Sequence, residues 1–235
     1  MSFYETLAPY YDQIFPTNEK AFRFLSICFK GKRNLLDVGA GTGNMAFSLA
    51  NSGYMVSALE PEASFTEEIR KKIIRSRNHL KLYRKNMQQL NELNEIYDGI
   101  YCIGNTLVHL NNLEEITQFF RDSYLTLAND GVMIIQTVNY ENILTKEQFS
   151  FPIIKRDTFT FERKYEISKD TVLFTTTLTS DGKAKINTTK LYPAVADQLV
   201  SSLKSCGFHD ITVYGNYDFQ NYSSNSPALI LVAKK

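Results

Sequence analysis

The sequence predicts an α/β domain: a mostly parallel sheet with helices on both faces, carrying a small antiparallel β insertion late in the chain. Three observations predict it. Over residues 34–138, short apolar runs alternate with segments whose apolar residues recur at helical spacing, the pattern of parallel strands joined by crossover helices. A glycine-rich loop links the first of these strands to the helix after it. Beyond about residue 151 the rhythm changes to strand-like alternation in a stretch rich in Thr, Phe and Ile.

Taken in order, residues 2–16 carry Tyr4, Tyr10 and Tyr11, and Pro9 and Pro16 divide them into short pieces. A helix is expected over 18–29, with Phe22, Leu25 and Phe29 on one face and Lys30-Gly31-Lys32 ending it. The first strand is 34–38, followed by the loop 39–43 and a helix over 44–51 that Gly53 stops. A second strand, 54–59, ends in Glu60-Pro61, and a helix follows over 63–75. The third strand, 80–84, leads into Asn86-Met87; the fourth, 97–103, ends at Gly104-Asn105. The helix over 113–127 places Ile116, Phe119, Phe120 and Leu127 near helical spacing. Asn129-Asp130-Gly131 reads as a turn and 132–138 as the fifth strand. Residues 151–191 read as two to four antiparallel strands, with Ser180-Asp181-Gly182 as a hairpin turn. A helix over 195–206, closed by Gly207, and strands over 211–217 and 228–233 complete the chain.

Composition narrows the function classes. The 235 residues are 43% hydrophobic and 22% charged, enough for one α/β domain with an elaboration. With 26 basic against 25 acidic residues the net charge is +1, which argues against a generic grip on nucleic acid phosphates. The densest basic run, Arg70-Lys71-Lys72 with Arg75 and Arg77, reads as a solvated helix face. Cys28, Cys102 and Cys206 are scattered and odd in number, as expected of buried thiols in a reducing compartment. His79, His109 and His209 stand alone, so no metal site is expected. The N-terminus lacks the basic and apolar regions of a secretory signal, and the apolar stretch 21–29 is too short to span a bilayer. A cytoplasmic protein without membrane or nucleic acid partners, monomeric or homodimeric, is the expectation.

The chemistry concentrates at Asp37-Val38-Gly39-Ala40-Gly41-Thr42-Gly43. Alternate glycines permit positive φ and leave no Cβ to hold a ligand off the main chain. The following helix turns free N–H groups toward the same crevice. Glu60 ends the next strand, about twenty residues on, where a carboxylate accepts hydrogen bonds from ribose hydroxyls. A nicotinamide dinucleotide site uses the same logic, but its fingerprint is GxGxxG; here the glycines are spaced GxGxG.

The string 35–43, Leu-Leu-Asp-Val-Gly-Ala-Gly-Thr-Gly, resembles the first motif of class I S-adenosylmethionine-dependent methyltransferases of the bacterial small-molecule type. Weaker likenesses follow in the family's order: Asn86-Met87, Tyr97-Asp98, the loop 103–110, Asn129-Asp130-Gly131-Val132, Gln136-Thr137-Val138-Asn139-Tyr140, and the closing segments 203–208 and 228–235. The resemblance implies a Rossmann-like seven-stranded sheet with an antiparallel last strand, formed by residues 1–150 and 191–235. Residues 151–190 lie outside the shared pattern and read as a cap or a dimer element.

The resemblance also implies roles. Gly39, Ala40, Gly41 and Gly43 would meet the methionine part of S-adenosylmethionine, and Asp37 would brace the loop or reach the cofactor through water. Glu60 would hold the ribose hydroxyls, Pro61 shape the adenine pocket, and Asn86 and Met87 flank the base. The Ile103 carbonyl would accept from the cofactor amine. Tyr4, Tyr10, Tyr11 and Asp12 resemble the family's N-terminal lid, with Tyr4 and Tyr11 toward the cofactor. On the acceptor side, Asn105, His109, Asn139 and Tyr140 follow the C-terminal ends of strands, where ligands bind in such sheets, and Tyr192 is a weaker candidate. His109 is the one candidate base, because histidine titrates near neutrality.

Methyl transfer from a sulfonium needs an in-line nucleophile held close, and positioning alone supplies about 7–11 kcal/mol of the barrier. The expected reaction is therefore methylation of a nitrogen or oxygen of a small-molecule acceptor, with no dedicated nucleophile. Two rivals remain at this point: a methyltransferase-like partner subunit without turnover, and a NAD-dependent oxidoreductase.

Overall fold

The computed structural model describes residues 3–76, 80–146, 148–168 and 171–235. Arg77 and His79, named above, and the first residue of the segment 2–16 lie outside the described residues. The main sheet contains β1 (Asn34–Val38), β2 (Met55–Leu59), β3 (Lys81–Tyr83), β4 (Tyr97–Cys102), β5 (Leu127–Val138), β11 (His209–Tyr214) and β12 (Ala228–Lys234). Their order is β11-β12-β5-β4-β1-β2-β3. The strands β3-β2-β1-β4-β5 are parallel, while β12 runs antiparallel to β5 and β11 antiparallel to β12. The seven-stranded sheet with its antiparallel closing strand is the fold that the sequence predicted.

The central strands are near-continuous apolar runs because helices cover both faces. Alternate residues of a strand point to opposite faces, so Leu36, Val38, Ile100 and Cys102 enter one core with Phe119 and Phe120 of α6 (Leu113–Thr126) and Leu199 and Leu203 of α8 (Ala196–Ser205). Leu35, Tyr101 and Ile134 enter the other, with Phe24 and Leu25 of α3 (Glu19–Cys28), Leu49 of α4 (Asn44–Asn51) and Ile69 of α5 (Ala63–Ser76). Side-chain oxygens start two of these helices: Asn18 accepts from the Lys20 and Ala21 N–H groups, and Asn112 from that of Glu115. The basic run on α5 is a paired face, Arg70 with Glu67 and Lys71 with Glu68.

Two expectations need correction. Asn129-Asp130-Gly131 does not separate α6 from a strand at 132; β5 begins at Leu127 and passes through it. Asp130 has φ +59°, and the pairing with β4 shifts register between Tyr97 and Gly99, so the turn residues form a bulge within the strand. The late antiparallel region has five strands among the described residues, more than the two to four expected. They are β6 (Gln148–Ser150), β7 (Ile154–Lys155), β8 (Phe159–Ser168), β9 (Thr171–Ser180) and β10 (Lys183–Leu191). β6 and β7 are only three and two residues long, too short to show a period. The β9–β10 hairpin turns at Asp181 and Gly182 with φ +51° and +70°, as that dipeptide predicted.

This second sheet, ordered β10-β9-β8-β6 with β7 beside β8, packs over the end of the first. Phe159, Phe161 and Leu178 bury against Leu7, Ile14 and Phe65. Leu7 belongs to α1 (Phe3–Leu7) and Ile14 to α2 (Tyr11–Ile14), with a 3-10 turn at Ala8–Tyr10 between them. Tyr165, Val172 and Leu191 bury against Val108 and against Tyr140 and Ile143 of α7 (Tyr140–Leu144).

Candidate active site

Strand order reverses where β1 lies between β2 and β4, and loops that leave such a point in opposite directions open a crevice at the carboxyl ends of the strands. A cavity of about 620 Å³ occupies that crevice. It is lined by the segments that leave all five parallel strands: Gly39 and Gly41 after β1, Glu60 and Pro61 after β2, Asn86 and Met87 after β3, Gly104 to Thr106 after β4, and Gln136 and Val138 at the end of β5.

The glycine loop owes its shape to missing side chains. Gly39 has φ +76°, and a Cβ there would lie 2.2 Å from Thr106 Cγ2. Gly41 has φ +58°, and its Cβ would lie 3.1 Å from the Tyr11 hydroxyl. Glu60 fastens this loop to β2: Oε2 accepts from the Gly41 N–H at 2.8 Å and Oε1 from the Glu62 N–H at 2.9 Å. Burial pushes the Glu60 carboxyl up to about 7, against the pull of those two hydrogen bonds. A cradle that a Cβ would fill, beside a buried carboxylate with lone pairs to spare, fits an adenosyl ligand laid against the main chain.

Other predicted residues of this end stand back from the cavity, for local reasons. Gly43, at φ +83°, caps α4 and packs against Ile69 and Phe47. Ala40 packs into the core beneath the loop. Asp37 is buried beside Tyr101 of the neighbouring strand, its register partner. Burial pushes its carboxyl up to about 8, with the Tyr101 hydroxyl working the other way and the Glu60 charge adding to the rise. The Ile103 carbonyl accepts from the Thr106 hydroxyl at 2.9 Å, and Ile103 does not line the cavity.

The N-terminal segment closes one side. Tyr4, Leu7, Tyr11 and Phe15 all face the cavity, and Tyr4 and Tyr11 pack edgewise or tilted on Phe65 at 5.6 and 4.6 Å. Desolvation pushes both tyrosines above their ordinary values, so they stay neutral donors. Tyr10 instead packs on Phe159 at 4.9 Å. Asp12 pairs with Lys72 of α5 at 2.7 Å and accepts from the Thr42 hydroxyl. The Lys72 ammonium also donates to the Thr42 carbonyl and Asn44 Oδ1, at 2.9 and 2.7 Å. One clasp thus joins the lid, the glycine loop and α5.

Of the acceptor-side candidates, Asn105 and His109 line the cavity. Asn105, at φ +68°, accepts from the Val138 N–H at 3.0 Å and donates to the Tyr140 and Tyr165 hydroxyls at 2.9 and 3.3 Å. His109 is held below its ordinary pKa by desolvation, so it is a neutral imidazole at pH 7. Asn139 and Tyr140 are buried and do not line the cavity. Asn139 donates to the Ser223, Ser224 and Ser226 carbonyls and accepts from Tyr222, fastening the segment before β12. Tyr140 acts one step back, through Asn105. Tyr192 bonds the Val108 carbonyl through its N–H and is not among the lining residues.

Sequence reasoning missed the rest of the acceptor wall. The inward phase of β8 supplies Phe161, Arg163 and Tyr165, and Phe151, Phe174, Thr176 and Asn187 join them. A signal was present: in β8 the residues in phase with Phe159 and Phe161 are Arg163 and Tyr165, and a charged residue in the buried phase of a strand marks a site. Among the described residues there is no cluster of three metal-ligating side chains and no helix long and apolar enough to cross a membrane.

Comparisons with known proteins agree with this geometry. Residues 35–131, from β1 into β5, match the methyltransferase-domain family. A glycine/sarcosine N-methyltransferase from Aphanothece halophytica is 23% identical over 229 residues, which are 93% of this chain and 82% of that protein. A glycine/sarcosine/dimethylglycine N-methyltransferase from Actinopolyspora halophila is 25% identical over 93% of this chain, which spans 39% of that longer relative. The solved S-adenosylmethionine-dependent methyltransferase from Clostridium acetobutylicum superposes with a TM-score of 0.83 at 16% identity, covering 99% of both chains. The chain thus matches a methyltransferase domain over residues 35–131 and is similar over nearly its whole length to a glycine/sarcosine N-methyltransferase and, in fold, to an S-adenosylmethionine-dependent methyltransferase.

Proposed function

We propose that the protein transfers the methyl group of S-adenosylmethionine to the nitrogen of a small amine acceptor. The observation that carries this reading is the two-part cavity: a glycine cradle with a buried carboxylate at the β1–β2 end, continuous with a chamber roofed by the second sheet. Gly39, Gly41, Glu60, Pro61, Asn86 and Met87 would hold the cofactor, with Tyr4 and Tyr11 over it. Asn105, His109 and the inward side chains of β8–β10 would hold the acceptor. The named activities of the relatives, N-methylation of glycine and sarcosine, support a small amine. Residues 151–190 then act as a cap over the acceptor.

S-adenosylmethionine supplies a methyl group on a positively charged sulfur, so S-adenosylhomocysteine is the leaving group. The chain's own task is to present a neutral nitrogen in line, exclude water and receive one proton. His109 lines the cavity as a neutral imidazole, whose lone pair can receive that proton and pass it to solvent. An oxygen acceptor would need a stronger base. The test is calorimetric titration with S-adenosylmethionine, S-adenosylhomocysteine and NAD, repeated with Glu60→Ala. Expected are micromolar binding of both adenosyl ligands, at least 10-fold weaker binding by the variant, and no binding of NAD. NAD binding alone would overturn the reading, and folded protein that binds none of the three would favour a partner subunit.

A further inference from the structure

The roof of the chamber carries a polar row that neither cofactor binding nor the proton step uses. β8, β9 and β10 pair so that Arg163 lies opposite Thr176 and Thr176 opposite Asn187. All three side chains reach the cavity. On β8 and β9 the rows beside this one are apolar or aromatic, Phe161 opposite Leu178 and Tyr165 opposite Phe174; on β10 they end in Lys185 and Thr189, neither of which lines the cavity. A guanidinium, a hydroxyl and a carboxamide thus stand side by side in an otherwise greasy wall.

Arg163 is held for something other than a protein carboxylate. Its guanidinium lies over the rings of Phe151, Phe15 and Phe161 at 4.7, 5.5 and 5.9 Å. Such ring contacts hold a guanidinium through its face and leave its N–H groups to a planar acceptor. Its Nε is buried without a hydrogen-bond partner, and among the described residues no carboxylate pairs with it. Glu162, its neighbour in β8, is on the exposed face. The two carboxylates of the cavity, Glu60 and Glu62, belong to the β2 end. A buried, unmet donor on a permanent cation costs stability unless a ligand completes it.

We propose that the row Arg163–Thr176–Asn187 receives the carboxylate of the acceptor, which makes the acceptor a small amino acid. This rests on the reading of the cavity as a methyltransferase site. Arg163 forms charge-assisted hydrogen bonds to the carboxylate oxygens; the Thr176 hydroxyl, which reaches the Asn187 carbonyl only at 3.5 Å, and the second N–H of the Asn187 amide, whose first goes to Thr189 Oγ1 at 3.1 Å, complete the acceptor's lone pairs. Specificity arises because a neutral analogue would leave the buried Nε of Arg163 unmet.

The experiment uses the full chain saturated with S-adenosylhomocysteine, titrated with glycine, alanine and β-alanine and with their carboxamides, read by calorimetry and thermal shift. At least one amino acid is expected to bind about 10- to 100-fold more tightly than its amide, the worth of a charge-assisted hydrogen bond. Arg163→Gln should abolish that preference while S-adenosylhomocysteine affinity stays within about twofold. Thr176→Val, nearly isosteric, should weaken carboxylate binding several-fold and carries the test if Arg163→Gln does not fold. Amides equal to acids, no binding by any acid, or a preference that survives either variant would overturn the proposal. Failure of the wild-type chain to bind S-adenosylhomocysteine would instead overturn the methyltransferase reading.

Discussion

At the β1–β2 end of the cavity the floor beneath Tyr4 and Tyr11 is main chain: two glycines at positive φ, and loop amides from which one carboxylate accepts. At the other end the walls are long side chains from one face of a sheet, with Phe161 and Tyr165 on either side of Arg163, and Thr176 and Asn187 in its row. In the proposed reading the first end holds the cofactor, because main chain at the mouth of a strand–helix turn offers one geometry. The second is free to vary, since a strand can exchange inward side chains without moving its backbone. Disturbing the first end should therefore abolish cofactor binding, while disturbing the second should change the acceptor and leave the cofactor.

The largest expected effect is Gly39→Ala. The new Cβ would stand 2.2 Å from Thr106 Cγ2 on a backbone at φ +76°. Both faults lie in the cofactor half, and the loop must move for either to be relieved. S-adenosylhomocysteine affinity should fall at least about 100-fold by calorimetry, a cost of roughly 3 kcal/mol. Thr106→Ala should restore part of it by removing the clash but not the φ cost. Unchanged affinity in Gly39→Ala would break the claim that the cofactor half is built from main chain.

The same division explains what the sequence disclosed. The strands of the main sheet, the glycine loop, and the places of Glu60 and Asn86-Met87 beside the cavity were legible, because each sits at a strand end within a few residues of a turn signal. Asn139 and Tyr140 occupy the same kind of place, yet they face away. Asn139 is turned by four hydrogen bonds to the segment 222–226, a contact across more than eighty residues that no local pattern reveals. Arg163 was hidden for the opposite reason. Alternation marks the inward phase of β8, but only the packing of that sheet over the first shows that its inward face borders a cavity.

A smaller effect separates the support of the glycine loop from its contact surface. Asp37 and Glu60 both hold their protons more tightly folded than unfolded, because burial raises them to about 8 and about 7. Between the ordinary carboxylate range and about 8 the folded state therefore binds more protons, and stability falls as pH rises through that window. Above it the loss is complete. Thermal unfolding should occur at higher temperature at pH 5.5 than at pH 8.5 as far as these two groups decide it. Asp37→Asn should raise the midpoint at pH 8.5 and flatten the slope; each pH unit of one group's titration is worth about 1.4 kcal/mol, or roughly 3–6 °C in a domain of this size. An equally steep slope in the variant would place the buried charge elsewhere.

The smallest effect concerns the ion-paired clasp at the outer edge of the cofactor half. The clasp of Asp12, Lys72, Thr42 and Asn44 ties the lid to the loop, but Asp12 is about half exposed and Lys72 about a quarter. A pair so placed contributes about 0.5–1 kcal/mol. Lys72→Met should therefore speed release of S-adenosylhomocysteine about two- to fivefold in stopped-flow measurements, and leave the fold and the acceptor preference intact. Salt supplies the control. Release from the wild-type chain should quicken between about 0.05 and 0.5 M NaCl, as the Debye length shortens toward the length of an ion pair, whereas release from Lys72→Met should not. Equal salt dependence in the two chains would show that Tyr4, Tyr11 and Phe15 hold the lid by packing alone. The cofactor half would then share the side-chain logic of the acceptor half at its outer edge.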